Sequence, residues 1–205
     1  MLIKVNLPIE LMGVNTYSNY LIQVKRFYWI KTIMRHLLYT TLVFFLGAVS
    51  AMSFTFSNID GGTINTSDWK GKPFLVVNSA SMCGFTKQYR GLQKLFDTYK
   101  NDGLIVLAVP SNDFKQELKT NSAVKDFCEL DLGLDIPITE ITSVKGSNAH
   151  PFFQWVKNQS GFTPKWNFNK VLISKNGELV GTYGALTKPN SRKLIRDIEQ
   201  QLALK

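Results

Sequence analysis

The sequence predicts an α/β domain in which helices flank a central mixed β-sheet. Two apolar segments, residues 73–78 and 104–109, have the composition of buried parallel strands. The segment between them carries apolar residues at helical spacing, so the three segments form a βαβ unit with a right-handed crossover. Farther along, Asn176-Gly177 separates two strand-like segments, which is a strong signal for an antiparallel hairpin. Parallel and antiparallel neighbours are therefore expected in one sheet.

Length and composition limit the chain to one such domain and a short appendage. The 205 residues are 44% hydrophobic, 12% aromatic and 19% charged, which is typical of a globular protein. Two cysteines are too few for a disulfide-rich scaffold or a Cys-only zinc site, and His36 and His150 each lack other ligands at recognisable spacing. The sequence has no Gly-rich phosphate loop, so we expect no metal and no nucleotide cofactor. Lysines alternate with acidic residues after residue 52, which favours solvated faces over a nucleic-acid interface.

The first half of the domain contains a β-hairpin and the βαβ unit. Residues 60–62, Asp-Gly-Gly, form the turn of a hairpin over 54–64. The helix of the βαβ unit is predicted over 84–100, because one face of this segment is apolar. That face carries Leu92, Leu95, Phe96 and Tyr99. The polar residues 101–103 end the helix.

The second half supplies the other helices and the antiparallel hairpin. The sequence predicts helices over 122–131 and 151–157. Strands over 170–174 and 178–183 follow, and then a terminal helix over 190–204. Val124, Phe127 and Cys128 face inward on the first of these helices. Strand, helix and strand, followed by an antiparallel hairpin and a helix, is the plan of the thioredoxin-like fold.

Residues 1–51 have the pattern of a targeting segment. Basic residues precede the apolar run 37–49, which ends in Val49-Ser50-Ala51, the small-residue pattern that a signal peptidase recognises. The run is shorter than the about 20 apolar residues of a membrane span, so we predict a secretory signal cleaved after Ala51. Met34 is then a candidate for the true start of translation. The alternatives are a membrane anchor through residues 37–52 or a buried core helix.

The domain is accordingly predicted to span residues 52–205. We expect it to be exported, either periplasmic or secreted, and not to be stably inserted in a membrane once the signal is removed.

Cys83 is the first candidate for chemistry. It follows the strand over 73–78 and, on this prediction, lies at the N-terminus of the helix over 84–100. Unpaired backbone N–H groups and the positive end of the helix dipole favour a thiolate at such a position. The alternative is an unreactive core residue, because free cysteine is among the most buried residue types.

Three segments carry a resemblance to a known family. Residues 78–86 read Asn-Ser-Ala-Ser-Met-Cys-Gly-Phe-Thr, residues 109–117 read Val-Pro-Ser-Asn-Asp-Phe-Lys-Gln-Glu, and residues 166–170 read Trp-Asn-Phe-Asn-Lys. They resemble the active-site segment of the glutathione peroxidase family in its cysteine-containing, bacterial-like form, and that family's Gln and Trp-Asn segments, in the family's order. Asn148-Ala149-His150-Pro151 adds a weaker match. The resemblance covers most of residues 54–200.

The resemblance implies a thiol-dependent peroxidase that reduces hydrogen peroxide and organic or lipid hydroperoxides through a cysteine sulfenic acid. Cys83 corresponds to the peroxidatic cysteine, with Gln116, Trp166 and Asn167 around it. The alternatives are a solvated loop residue for Gln116, a core aromatic residue for Trp166 and a turn former for Asn167. The segment over 109–117 departs from the family pattern, since one residue is missing before Gln116.

Ionisation of the Cys83 thiol cannot by itself make a fast peroxidase. A lower thiol pKa raises the thiolate fraction at pH 7 at most about 30-fold and also weakens the nucleophile. Negative charge develops on the departing oxygen, where each oriented donor contributes about 2.7–4 kcal/mol. The indole of Trp166 and the amides of Asn167 and Gln116 are such donors.

The sulfenic acid must be reduced before it oxidises further. Some members of the family use a second cysteine for this step, and Cys128 is the candidate resolving cysteine here. Relative to the plant-type pattern it stands one helix position early, which turns it by about 100°. An unreactive residue on the apolar face is the alternative.

The short stretch between Trp155 and Trp166 lacks the insertion of tetrameric, glutathione-using members. The resemblance therefore implies a monomer whose thiol reductant is a thioredoxin-like protein, with glutathione as the alternative. Two other functions stay open: a peroxide-sensing thiol-disulfide relay with little turnover, and a non-catalytic binding module.

Overall fold

The computed structural model describes residues 53–203 and, before them, Trp29 and Lys31, which are helical and exposed. The chain divides into two compact units, Met1–Ser50 and Ala51–Lys205. The predicted signal segment, the Met34 start and the cleavage after Ala51 lie outside the described residues. Among the described helices, none has the length and apolar character that crossing a membrane requires.

A small hairpin precedes the main sheet. Strands β1 (Thr55–Ser57) and β2 (Thr63–Asn65) pair antiparallel, as the Asp-Gly-Gly turn predicts. Gly61 and Gly62 have φ angles of 91° and 74°, a region that favours glycine. The predicted N-terminal hairpin is therefore confirmed.

The main sheet has four strands: β3 (Phe74–Ser79), β4 (Ile105–Pro110), β5 (Lys170–Ile173) and β6 (Leu179–Tyr183). Their order in the sheet is β4-β3-β5-β6. The strands β3 and β4 are parallel, whereas β5 is antiparallel to both β3 and β6. The mixed sheet predicted from the apolar runs and the Asn-Gly turn is thus confirmed.

Helices cover the sheet and bury two apolar clusters. The α-helices are α1 (Gln88–Tyr99), α2 (Asn121–Asp126), α3 (Pro151–Ser160) and α4 (Arg192–Ala203), and a π-turn over Phe127–Asp131 continues α2. Successive side chains of a strand point to opposite faces. Accordingly, Leu75 and Val77 of β3 pack with α1 and α4, whereas Val76 packs in the other cluster with α3.

Two helix predictions change in detail. The segment 122–131 is helical as predicted, but it divides into α2 and the π-turn that contains Cys128. The helix predicted over 84–100 begins at Gln88. The second difference changes the surroundings of Cys83.

Candidate active site

Cys83 lies on a turn between β3 and α1, not at the helix N-terminus. The prediction that Cys83 begins the helix was wrong, because α1 starts at Gln88. The physical reason is Thr86, whose Oγ1 accepts the N–H of Cys83 at 3.1 Å and lies 2.6 Å from the Cys83 carbonyl oxygen. This side chain closes a separate turn before the helix begins.

The sulfur of Cys83 nevertheless receives a backbone donor. The N–H of Phe85 points to Sγ, with a nitrogen–sulfur distance of 3.4 Å. The residue is 7% exposed and lies at the edge of the apolar cluster beside α1. The sulfur of Cys83 therefore has a backbone donor although it does not lie at the start of α1.

Gln116 and Asn167 lie next to the Cys83 turn. The N–H of Met82, one residue before Cys83, donates to the backbone oxygen of Gln116 at 2.9 Å. The side-chain amide of Asn167 donates to Oε1 of Gln116 at 3.0 Å. This second bond fixes the orientation of both amides and leaves the NH₂ group of Gln116 as a donor for a ligand. The two hydrogen bonds therefore connect two of the four predicted residues, Gln116 and Asn167, to each other and to Met82, the neighbour of Cys83.

Trp166 stands at the surface beside this group. Its side chain is 40% exposed, and its ring lies 5.6 Å from that of Phe114 between centroids. A core aromatic residue would be buried, so the structure places Trp166 differently from the alternative considered for it. The chain continues directly into the fully buried Asn167.

Asn78 holds the Trp166–Asn169 segment in place. Its amide donates to the Trp166 oxygen at 3.0 Å, and its Oδ1 accepts the N–H of Asn169 at 3.0 Å. Its backbone oxygen also accepts the N–H of Phe168 at 2.6 Å. Sequence reasoning missed this role. The available signal was a polar residue at the end of an otherwise apolar buried strand.

Asp113 and Ser111, two other residues of the segment over 109–117, make structural contacts. The carboxylate of Asp113 accepts the N–H groups of Val144 at 2.7 Å and Lys145 at 3.0 Å, which ties down the loop after β4. Ser111 is fully buried, and its N–H donates to the Ser79 oxygen at 3.0 Å. Neither residue is in direct contact with Cys83 through a hydrogen bond. The missing residue before Gln116 leaves Gln116 beside the Cys83 turn.

The carboxylate of Glu117 holds the backbone just before the Cys83 turn. Its Oε1 accepts the N–H of Ser81 at 3.0 Å and that of Leu118 at 2.8 Å. Burial raises the pKa of this carboxyl, and the hydrogen bonds from Ser81 and Leu118 oppose the shift. The sequence motif does not indicate this role for Glu117, because its partner Ser81 lies 36 residues away in the sequence.

Cys128 lies inside the π-turn after α2. It is fully buried in the same apolar cluster as Cys83, and both cysteines are free thiols. Burial raises the pKa of the Cys128 thiol to about 12. At neutral pH the Cys128 thiol is therefore protonated.

A groove runs beside the Cys83 turn, between α1 and the loop before α4. Its volume is about 540 Å³, and Gly84 and Phe85 line one end, although Cys83 itself does not. Gly91 allows the loop to approach α1, because a Cβ there would lie 3.1 Å from Cγ of Pro189. The other apolar lining residues are Leu95, Leu186 and Ile195, and the charged ones are Lys87, Lys94 and Lys188.

His150 has a structural role. Its Nδ1 accepts the N–H of Phe152 at the start of α3, and its ring stacks on Phe56 with centroids 3.9 Å apart. Within residues 53–203, no three His, Cys, Asp or Glu side chains are placed to hold a metal ion.

Fold and site together define a class of protein. A thioredoxin-like sheet carries a cysteine on the turn after its first buried strand, and amide side chains lie next to that turn, which is the arrangement of a thiol-based redox protein. A thiol:disulfide interchange protein of the thioredoxin family from Chlorobium tepidum has the same fold, with a TM-score of 0.56 at 18% identity over 75% of this chain and 95% of that one.

Sequence comparisons identify the family within this class. The model of the family described as Glutathione peroxidase matches residues 51–157. A "Hydroperoxy fatty acid reductase gpx1" from Synechocystis is 38% identical, covering 73% of this chain and 94% of the relative. A "Glutathione peroxidase-like peroxiredoxin gpx1" from Schizosaccharomyces pombe is 39% identical, with coverage of 70% and 92%. The chain belongs to the glutathione peroxidase family.

Proposed function

We propose that the protein is a thiol-dependent peroxidase that reduces hydroperoxides at Cys83. The observation that carries this function is the pair of hydrogen bonds that connects Met82, Gln116 and Asn167. It brings neutral N–H donors to the turn that carries the reactive sulfur. Family membership and the peroxidase names of the relatives support the same function.

The reaction at Cys83 is a two-electron oxidation of sulfur. The thiolate attacks the terminal peroxide oxygen, the S–O bond forms and the O–O bond breaks. The departing alkoxide or hydroxide takes up a proton, which leaves Cys83 sulfenic acid and an alcohol or water. The amides of Gln116 and Asn167 and the indole of Trp166 stabilise the negative charge on the departing oxygen without adding charge of their own.

Cys128 is the resolving cysteine in this proposal. Its thiol attacks the sulfenic acid, so that a Cys83–Cys128 disulfide forms and water leaves. The π-turn over Phe127–Asp131 supports this step, because such turns weaken the regular hydrogen bonds of a helix at functional positions. Local unwinding there would bring the Cα atoms within the about 7 Å that a disulfide needs.

An external dithiol then reduces the disulfide. A thioredoxin-like protein suits a monomeric enzyme with this site, and the peroxiredoxin name of the S. pombe relative is consistent with it. Turnover with the thioredoxin system and with glutathione, measured side by side, distinguishes the two reductants. Size-exclusion chromatography with light scattering tests the monomer.

The groove beside Cys83 favours apolar, anionic hydroperoxides such as those of fatty acids. Its apolar lining fits an acyl chain, and its charged lining residues are lysines without an acidic residue among them. Lys188→Glu should raise the KM for a fatty-acid hydroperoxide several-fold and leave hydrogen peroxide reduction unchanged. Lys157→Glu, on the exposed side of α3, is the matched control. Equal changes in the KM for the fatty-acid hydroperoxide in the two variants would exclude the groove as its binding site.

Stopped-flow kinetics test the central function. Wild-type protein should consume hydrogen peroxide at least about 100-fold faster than free cysteine, because one oriented donor alone contributes that much. Cys83→Ser should abolish the reaction, whereas Cys128→Ser should keep the first oxidation and lose turnover with thioredoxin. Wild-type protein that reacts no faster than free cysteine would contradict the function. Unchanged thioredoxin turnover in Cys128→Ser would exclude the resolving role alone.

Residues 1–51 are proposed to direct export, with cleavage after Ala51 and a domain over 52–205. The basic residues, the apolar run over 37–49 and the small residues at its end support this. N-terminal sequencing of the exported protein should find Met52 first. A protein that keeps residues 37–51 would favour the membrane anchor.

A further inference from the structure

Lys170 is a buried cation on β5. It is fully buried, and no carboxylate of the described chain forms a salt bridge with it. Its Nζ donates instead to Oε1 of Gln88 at 2.6 Å and to the backbone oxygens of Phe168 at 2.8 Å and Thr187 at 2.6 Å. An ammonium group has three N–H donors, and all three are used. A charge is costly to bury, so this arrangement calls for a compensating function.

One of the three bonds leads to the Cys83 turn. Gln88 is the first residue of α1, and its backbone N–H donates to the Phe85 oxygen at 2.8 Å. Phe85 in turn directs its own N–H at the Cys83 sulfur. The side chain of Gln88 also donates to the Ala185 oxygen at 2.8 Å, so its orientation is fixed from both ends.

A second bond leads to the segment that carries Trp166 and Asn167. Phe168 follows them directly and has a φ angle of 61°, a strained conformation for a bulky residue. Its carbonyl oxygen accepts from Lys170, and its N–H donates to Asn78. Hydrogen bonds on both sides of Phe168 hold the strained conformation and with it the position of Asn167.

We propose that Lys170 is a positioning residue for peroxide reduction, because its ammonium group joins the Cys83 turn to the segment that carries Trp166 and Asn167. The inference rests on the proposed function. It adds a residue that does not touch the peroxide and acts only through the groups that do.

Because the Lys170 amine can lose its charge, we expect its positioning role to depend on pH. Burial lowers the pKa of its amine to about 8. Opposite it in the sheet lie Val77 on β3 and Tyr183 on β6, whose hydroxyl donates to Asp197. The other titratable neighbours in sequence are Lys87 before Gln88 and Lys188 after Thr187. A neutral amine has only two N–H groups for three oxygens, so deprotonation would release one of the connected segments.

Two reactions of Cys83 separate positioning from simple folding. Iodoacetamide alkylation needs only an accessible thiolate, whereas peroxide reduction also needs the donors near Asn167. Lys170→Met keeps the length of the side chain and removes the donors. The peroxide rate constant should fall about 100-fold, the loss expected from a small misplacement of catalytic groups. The iodoacetamide rate constant should stay within about threefold of wild type. Lys157→Met, on the exposed side of α3, is the matched control and should change neither.

Equal losses in both rate constants of folded Lys170→Met, or no loss in either, would overturn the inference. If Lys170→Met does not give the wild-type circular dichroism spectrum, Gln88→Met decides the question, because it removes one acceptor and leaves the lysine in place. It should lower the peroxide rate constant about 10-fold at unchanged alkylation, and an unchanged peroxide rate would overturn the inference.

The pH dependence gives a third readout. In wild type the ratio of peroxide to iodoacetamide rate constants should fall above about pH 8, and in folded Lys170→Met it should be flat. A flat ratio in both proteins would contradict the role of the charge. A wild-type protein without fast peroxide reduction would instead contradict the proposed function itself, so the two failures are distinguishable.

Discussion

The two cysteines share one apolar cluster but differ in what surrounds each sulfur. Cys83 stands on a turn and receives the N–H of Phe85 at 3.4 Å, with Asn167 and Gln116 nearby. Cys128 stands in a π-turn, fully buried, and burial raises the pKa of its thiol to about 12. Cys83 is 7% exposed and Cys128 is not exposed at all, so the two sulfurs differ in how completely they are removed from water. The backbone N–H that reaches Cys83 and the complete burial of Cys128 together distinguish the two sulfurs.

Selective alkylation should show the largest difference between the two sites. With a pKa of about 12, the Cys128 thiolate fraction at pH 8 is about 10⁻⁴. Brief treatment of the native protein with iodoacetamide at pH 8 should therefore label Cys83 at least about 1,000-fold faster than Cys128. Peptide mass spectrometry locates the label, and labelling in denaturant is the control in which both sites react. Comparable labelling rates of Cys83 and Cys128 in the native protein would contradict the predicted difference in thiol reactivity.

Removal of a donor should reduce the reactivity of Cys83 toward peroxide. Trp166→Phe keeps the aromatic ring and removes the indole N–H, which should lower the rate constant about 100-fold. The matched control is Trp155→Phe, since Trp155 packs on Phe54 and Phe152 in the other apolar cluster. Stopped-flow mixing with hydrogen peroxide measures both variants. If both lose activity equally, the loss reflects packing and not the donor.

The buried thiol of Cys128 should make stability depend on pH. Its pKa is raised from an ordinary value near 9 to about 12 on folding, so its contribution is full below pH 9 and is lost as pH rises toward 12. Between pH 8 and 10.5 the free energy of unfolding should fall about 2 kcal/mol more in wild type than in Cys128→Ala. Urea titrations at both pH values measure the difference, and other groups cancel because both proteins contain them. Parallel pH dependence would indicate that Cys128 is more solvated than this structure indicates.

The smallest effect concerns the attachment of α2, the helix before the π-turn that contains Cys128. Lys125 of α2 forms an ion pair with Asp60 of the hairpin turn at 2.5 Å, and both side chains are substantially exposed. Such pairs contribute less than about 1 kcal/mol, so Lys125→Met should lower the unfolding free energy by no more than that. It should speed disulfide formation between the two cysteines at most a few-fold, measured by quenched-flow alkylation. A loss of stability well above about 1 kcal/mol, or a much larger acceleration of disulfide formation, would contradict the small contribution expected of this ion pair.

The strands could be predicted from the sequence because their signals are local. The apolar runs that became β3 and β4 and the Asn-Gly turn between β5 and β6 depend on neighbouring residues alone. The start of α1 could not be predicted in the same way. Thr86 closes a turn around Cys83 that competes with the helix, and propensity does not reveal such a contact.

The same distinction between local signals and long-range contacts applies to the residues of the site. The motifs named Cys83, Gln116, Trp166 and Asn167, whereas the residues that hold them in place were given no role. Asn78 contacts residues about 90 positions later, and the Lys170 bond to Gln88 spans 82 positions. Contacts at such separations follow from the sheet order, which a single sequence does not specify. Buried polar residues within apolar strands were the available signal.

One experiment tests most directly whether Cys83 is the reacting sulfur. Cys128→Ser protein is mixed with one equivalent of hydrogen peroxide in the presence of dimedone, which traps sulfenic acid, and the adduct is located by peptide mass spectrometry. A single adduct on Cys83 is expected, with the Cys83–Cys128 disulfide forming instead in wild type. A Cys83 peptide that remains unmodified while peroxide is consumed would contradict this assignment.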